Sequence, residues 1–175
     1  MVPADMPVLI GAMVAIVASA NYLVQFPLND WLTLGALTYP VAFFVTDVAN
    51  RRYGPEAARK VVYSGFVPGL LISIWLSSPR IAFASGSAFL IAQLLDVAIF
   101  NHLRQRVWWQ PPLISTVFSS VVDTAWFFVI AFAGTGMPWI TLALGDYLFK
   151  VGFALLLLLP WRIVVVHGRA WRNSA

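Results

Sequence analysis

Long apolar stretches follow one another along almost the whole chain, with only short polar connections between them. Several reach about 18 residues, the length that an α-helix needs to cross the hydrocarbon core of a bilayer. The pattern predicts an all-α integral membrane protein, a bundle of six transmembrane helices in one domain over residues 1–175. The predicted spans lie at about residues 7–25, 33–50, 61–78, 81–103, 112–133 and 140–160.

The composition supports this prediction and excludes an ordinary water-soluble domain. The chain is 61% hydrophobic and 10% charged, whereas soluble domains carry about 25% charged residues. It has no cysteine, which excludes disulfides and thiolate metal sites. No basic residues precede the first apolar stretch, so we interpret it as a span rather than a cleaved signal peptide.

Basic residues are distributed unevenly over the predicted connections. Nine of them fall on the side that holds both termini, and only Arg80 falls on the other side. Cytoplasmic loops of membrane proteins are rich in lysine and arginine, so both termini are predicted to be cytoplasmic. The net charge of +4 is explained by the membrane surface, and no nucleic-acid partner is expected.

Two prolines fall inside predicted spans, Pro40 in the second and Pro68 in the third. Each removes a backbone hydrogen bond, so each is predicted to kink its helix. Gly65 and Gly69 form a G-x-x-x-G pattern, which lets two helices approach closely. Such a face can serve packing within the bundle or permit a homodimer.

Polar side chains inside the predicted spans are the candidate functional residues, because a charge at the bilayer centre costs at least about 2.5–3.5 kcal/mol. Asp123 and Lys150 lie near the predicted midplane, and Trp126 shares a helix face with Asp123. The candidates for a substrate-binding site are Asp123, Lys150, Gln93, Asp96, Asp47 and Trp126.

Asp123, Asp146 and Lys150 also have structural interpretations. Asp146 precedes Lys150 by four residues, the favourable order for an ion pair on a helix, so the two could simply neutralise each other. Asp123 has no basic neighbour within its own helix, and Lys150 could be its partner across the bundle.

The other three polar candidates could serve structure as well. Gln93 could hydrogen-bond between helices. Asp47 and Asp96 lie toward the cytoplasmic side and could pair with arginines further along the chain: Arg51 or Arg59 for Asp47, and Arg104 or Arg106 for Asp96.

Enzyme motifs are missing from the chain. It has two histidines, which are far apart, and no G-x-S-x-G, H-E-x-x-H or P-loop pattern. We therefore expect neither an enzyme nor a bound metal or cofactor.

Four segments in order resemble the queuosine precursor transporter family, also called the vitamin uptake transporter family. They are SANYLVQFP (19–27), TYPVAFFVTDVANRRYGPEAARK (38–60), AQLLDVAIFNHLRQRVWWQPPLISTVFSSVVDTAWFF (92–128) and LGDYLFKV (144–151). The resemblance runs over nearly the whole chain, although the connection around SSPR and both termini look trimmed. It implies a bacterial inner-membrane protein that imports 7-cyano-7-deazaguanine (preQ0) and 7-aminomethyl-7-deazaguanine (preQ1), precursors of the tRNA base queuosine.

The candidate residues suit that substrate class. A deazaguanine presents a ring N–H and an amino group side by side, and one carboxylate can accept both hydrogen bonds. Its carbonyl oxygen needs a donor, and its flat ring can stack on aromatic side chains. The hypothesis is that Asp123 or Asp96 binds the guanine-like edge, with Gln93 and Lys150 completing the polar shell and Trp126 beside it.

Two other interpretations remain open at this point. The chain could be the substrate-binding membrane subunit for another purine or vitamin, driven by a separate energising module. It could also be a membrane enzyme or assembly factor that uses its aspartates for proton chemistry or helix association. Buried carboxylates are compatible with both proton-coupled and passive transport.

Overall fold

Six α-helices make up the part of the chain that the computed structural model describes, which is the backbone of residues 5–172 and the side chains of residues 5–165. Five of these helices are long and apolar enough to cross a membrane, and the exception is α2, with 14 residues. The helices are α1 (Met6–Leu23), α2 (Pro40–Tyr53), α3 (Pro55–Leu76), α4 (Pro79–Leu103), α5 (Gln110–Phe132) and α6 (Trp139–Arg172).

Prolines mark the beginnings of several helices. Pro40, Pro55 and Pro79 are the first residues of α2, α3 and α4, where a missing N–H costs no helical hydrogen bond. The predicted kink at Pro40 is therefore wrong, because the segment before it is not α-helical and Pro40 starts a helix instead of interrupting one. Pro68 does lie inside α3, as predicted, and Pro160 lies inside α6.

The connections beside α3 are very short. Gly54 alone separates α2 from α3, and its φ of 90° is a conformation that glycine adopts without steric cost. The predicted loop at 51–60 is thus mostly helical. Only Ser77 and Ser78 separate α3 from α4, and the Ser78 hydroxyl accepts a hydrogen bond from the Ile81 N–H at 3.3 Å.

Residues 24–39, between α1 and α2, contain a short 3₁₀ helix, Leu34–Leu37, and lie closely against the bundle. A Cβ atom at Gly35 would overlap the Ala20 carbonyl of α1, and one at Gly145 would overlap the Trp31 carbonyl. Gln25 donates to the Leu76 carbonyl at 2.9 Å. The segment is therefore held between the ends of α1, α3 and α6.

The two most extensive helix contacts join α4 to α5 and α1 to α3, while α2 touches all five of the other helices. Gly65 and Gly69 lie in the α1–α3 contact, where added Cβ atoms would overlap Met13 and Val17. The G-x-x-x-G face is thus used for packing within one chain.

Arginine side chains at the helix ends donate to backbone carbonyls that have no partner within their own helix. Arg80 reaches the carbonyls of Ile130 and Ala133 at the end of α5, both at 2.6 Å. Arg104 donates to the Arg51 carbonyl at 2.9 Å, and Arg51 donates to the Arg104 carbonyl at 3.4 Å. These bonds fasten α4 to α5 and α2 to the end of α4.

The α1–α3 contact gives a direct test of the packing. Gly69→Ala would push a methyl group into the stiff side chain of Val17, so we expect it to lower the free energy of unfolding by about 1–3 kcal/mol. Gly152→Ala, in α6, meets nothing within 4 Å and should be neutral or stabilising by up to about 1 kcal/mol. Melting temperatures of both purified variants in detergent check this, and equal melting temperatures would contradict the packing described.

Candidate functional site

A buried ion cluster joins α5 to α6. The Lys150 ammonium lies 2.7 Å from Asp123 Oδ2, 2.5 Å from Asp146 Oδ2 and 3.0 Å from the Thr124 hydroxyl. Thr124 in turn donates to Asp146 Oδ2 at 2.7 Å. All four residues are at most 6% exposed. The structure thus combines two of the pairings considered above, Asp146 with Lys150 along one helix and Asp123 with Lys150 across two helices.

The hydrogen bonds of Lys150 show which polar atoms a ligand can use. An ammonium group has three protons, and Lys150 has three acceptors from the protein around it, so no donor remains for a ligand. Asp123 Oδ1, in contrast, is buried and has no hydrogen-bond partner among the described residues. Two carboxylates and one ammonium carry a net charge of −1. The cluster therefore offers a ligand an acceptor and negative charge.

Asp123, Asp146 and Lys150 line a cavity of about 370 Å³, measured to the surrounding atoms and open on one side. The Tyr39 ring also lines the cavity, and the Lys150 ammonium lies over this ring, 5.3 Å from its centroid. The Tyr39 hydroxyl is buried beside Ser85. The remaining lining residues are Ala20, Asn21, Val24, Gly35, Ala36, Ala88, Phe127 and Phe128.

Asp47 of α2 and Asp96 of α4 form a second acidic group. Their carboxyl groups are immediate neighbours, and both lie beside the Ser115 hydroxyl of α5. Asp47 is 2% exposed and Asp96 is fully buried. The possible pairing of Asp96 with Arg104 is not formed. Arg104 donates a hydrogen bond to the Arg51 carbonyl instead.

Gln93 lies on α4, in the part of this helix between the first cavity and Asp96. It is fully buried, and its carbonyl oxygen accepts a hydrogen bond from the Thr46 hydroxyl at 2.6 Å. Gln93 therefore joins α4 to α2, as one interpretation of the sequence expected. Its Nε2 has no partner among the described residues.

Trp126 lies away from this cavity. Its side chain is 44% exposed, and its indole N–H donates to the Ser87 hydroxyl at 2.9 Å on the outside of the bundle. Phe127 and Phe128 supply the aromatic wall instead. Tyr39 was not among the candidates, although its position directly before Pro40, at the start of a polar helix, was a usable signal.

A second cavity of about 300 Å³ lies on the other side of the α2 N-terminus. Asp47 is its acidic residue, and Phe43, Phe44 and Trp161 are its aromatic residues. Tyr39, the residue directly before α2, lines the first cavity, whereas Pro40, Phe43, Phe44 and Asp47 of α2 line the second. The second cavity is therefore lined by α2, and the first by the residue bonded to the α2 N-terminus.

Removing the central cation should destabilise the bundle. Lys150→Met leaves Asp123 and Asp146 buried without a counter-charge, and breaking a buried pair in this way costs about 3–5 kcal/mol. We expect a large fall in melting temperature for this variant and little change for Lys60→Met, whose side chain is exposed on α3.

The triple variant Lys150→Met, Asp123→Asn, Asp146→Asn should recover much of that loss, because it leaves no unpaired charge. If the triple variant melts no higher than Lys150→Met, charge imbalance is not the cause of the instability.

The chain matches known proteins over most of its length. The family model described as "Putative vitamin uptake transporter" matches residues 33–78 and 71–165, two segments that overlap at the end of α3 and the α3–α4 connection. No solved structure matches the chain.

Three curated relatives carry one functional name. The "Queuosine precursor transporter" of Escherichia coli strain K12 is 38% identical over 181 residues, covering 87% of this chain and 82% of that protein. The "Probable queuosine precursor transporter" of Haemophilus influenzae is 35% identical with the same coverage, and that of Bacillus subtilis is 33% identical, covering 71% of this chain and 67% of that protein. With its long apolar helices, the chain is a multi-pass bacterial membrane protein, and it belongs to the vitamin uptake transporter family.

Proposed function

We propose that this protein imports queuosine precursors, the 7-deazaguanines preQ0 and preQ1, across the bacterial inner membrane. The names of its relatives support transport of queuosine precursors over catalysis. The observation that carries the proposal is the first cavity, where the unpartnered Asp123 Oδ1 is buried in the wall of a partly apolar pocket. Its wall combines apolar and aromatic side chains with a few polar groups, which is the usual composition of a small-molecule site.

Asp123 is the residue best placed to bind the guanine-like edge. Lys150 holds Oδ2 at 2.7 Å and so fixes the orientation of the carboxylate, while Oδ1 is left to accept from a ligand. A carboxylate oxygen has two lone pairs, so Asp123 can accept from the ring N–H and from the adjacent amino group.

The donor for the carbonyl oxygen of the substrate is assigned to Tyr39 or Ser85. Both hydroxyls lie in the cavity wall, whereas the three protons of Lys150 are already bonded within the protein. The Phe127 and Phe128 rings give the flat base an aromatic surface, and contacts of this kind are worth about 1–3 kcal/mol per base. In this arrangement the substrate does not contact Gln93, Asp96 or Asp47.

We also propose that all six helices cross the membrane, with both termini in the cytoplasm. The 14 residues of α2 give a length of about 21 Å at 1.5 Å per residue, which is less than the hydrocarbon thickness of about 30 Å. The irregular segment before it completes the crossing. Non-helical backbone is tolerated at that depth where protein covers it, and here α1, α3 and α6 pack around it.

Substituting Asp123 tests the assignment of the site. Asp123→Asn removes the charge from two expected hydrogen bonds, each worth about 1.5–3 kcal/mol, so uptake affinity should fall at least about tenfold. Asp30→Asn, the same change in an exposed connection, and Trp126→Phe should leave uptake intact.

The assay uses a bacterium that neither makes nor imports deazaguanines, supplied with nanomolar preQ0 or preQ1, and the readout is queuosine in tRNA. Full uptake by Asp123→Asn would remove Asp123 from the site. Binding of preQ0 by the purified protein without transport in liposomes would favour a subunit that needs a separate energising module.

The topology can be tested by cysteine labelling, because the chain has no cysteine of its own. Leu28→Cys and Glu56→Cys flank α2 at exposed positions. A membrane-impermeant maleimide should label Leu28→Cys in intact spheroplasts, and Glu56→Cys only after permeabilisation. Labelling of both cysteines from outside would show that α2 does not cross.

A further inference from the structure

The Asp47–Asp96 pair is left without a role by the proposed substrate site. The two carboxyl groups are neighbours, at most 2% exposed, and come from different helices. If both were ionised, two like charges would touch in a medium of low dielectric constant, where their repulsion is barely screened. Two carboxyl groups in such a site retain a proton between them.

Among the residues whose side chains the structure describes, the groups facing the pair do not include a buried cation of the kind found at the first cavity. From α5 the pair faces the neutral Ser115 hydroxyl. The guanidinium groups of Arg51 and Arg104, which follow along α2 and α4, bond to backbone carbonyls, and Lys150 of α6 belongs to the other cluster. The other basic side chains of α3 and α6 with described exposure are exposed: Arg59, Lys60 and Arg162.

A cavity and two unpartnered polar groups near this pair indicate that it binds a mobile ligand. Asp47 lines the second cavity, so one carboxyl group of the pair lies in the wall of that cavity. Gln93, one turn before Asp96, has a fully buried Nε2 with no partner among the described residues. The Ser119 hydroxyl is likewise buried and unpartnered, and it lies midway along α5 between Ser115 and Asp123 at four-residue spacing.

We propose that the Asp47–Asp96 pair is a proton-binding site that couples proton movement to transport through the first cavity. This inference rests on the proposed transport function and adds its energy source. A proton forms an O–H bond with one carboxyl group and a hydrogen bond with the other, and it leaves as a proton toward the opposite side. Nothing is oxidised or reduced.

The position of α2 explains how protonation would be transmitted. The shared proton holds α2 to α4, and its loss places two like charges in contact and pushes the helices apart. Because α2 lines the second cavity and is bonded directly to Tyr39 of the first, a shift of α2 moves a wall residue of each cavity. The helix is only 14 residues long, with an irregular segment before it and Gly54 after it, so it can shift without bending a long span.

The first experiment compares driven and undriven transport in liposomes that contain only this protein. With a pH gradient and the voltage clamped, wild type should accumulate labelled preQ0 by up to about tenfold per pH unit for one proton, and a protonophore should abolish this. Asp96→Asn should still exchange labelled for unlabelled preQ0 but lose the accumulation, while Asp30→Asn should keep both. Accumulation by wild type that the protonophore leaves intact would overturn the proposal.

The second experiment needs no substrate, so it separates this inference from the proposed function. Infrared difference spectra between acidic and alkaline buffer should show the carbonyl band of a protonated carboxyl group in wild type and Asp30→Asn. The band should be lost or shifted in Asp96→Asn and in the milder Ser115→Ala. An identical band in all four proteins overturns the proton site. A band that behaves as expected, in a protein that exchanges no deazaguanine, supports the proton site and overturns the substrate instead.

Discussion

The burial of Lys150 between two carboxylates is the interaction on which the rest of the arrangement depends. An ammonium group inside an apolar bundle is tolerated only when its charge and all its protons are satisfied, and here two aspartates and a threonine do so. These bonds fix the rotation of α5 against α6 and use up every donor of the lysine. What remains unpartnered in the cavity wall is one carboxylate oxygen, together with a net negative charge, and this determines the kind of ligand that the cavity accepts.

Charge satisfaction also separates the bundle into two regions with different chemistry. Around Asp123 a resident cation provides a counter-charge and orients the carboxylate for a ligand. Around Asp96 a neutral hydroxyl faces two carboxyl groups, which favours a proton. Thr46 and Gln93 join α2 to α4 between these regions through a 2.6 Å hydrogen bond. Because α2 carries Asp47 and is bonded directly to Tyr39 of the first cavity, a movement of this helix affects both regions.

The sequence predicted what depends on hydropathy and on spacing within one helix. It located the long apolar helices, and it offered the Asp146–Lys150 pair and Lys150 as a partner of Asp123 among its alternatives, because buried charges must be matched. It could not predict that Asp47 meets Asp96, since contacts between helices follow from packing that spacing does not encode. Pro40 was predicted to lie inside a helix because the hydropathy of residues 33–50 is continuous. In the structure, the α-helix begins only at residue 40.

The orientation of α5 was predictable, although Trp126 was assigned to the wrong face. The helix carries small hydroxyl residues in adjacent pairs at four-residue spacing, Ser115–Thr116 and Ser119–Ser120, followed by Asp123–Thr124 and Phe127–Phe128. All eight are buried, which places Trp126 on the outer surface. Pairs in this register form one continuous stripe, since residues four apart share a helix face. The stripe runs from Thr116 at the second cavity, past Ser115 at the acidic pair, to Asp123 and Phe127 at the first. The hydroxyl stripe of α5, at positions where a lipid-facing helix would carry leucine, therefore faces the interior of the bundle, and both sites lie along it.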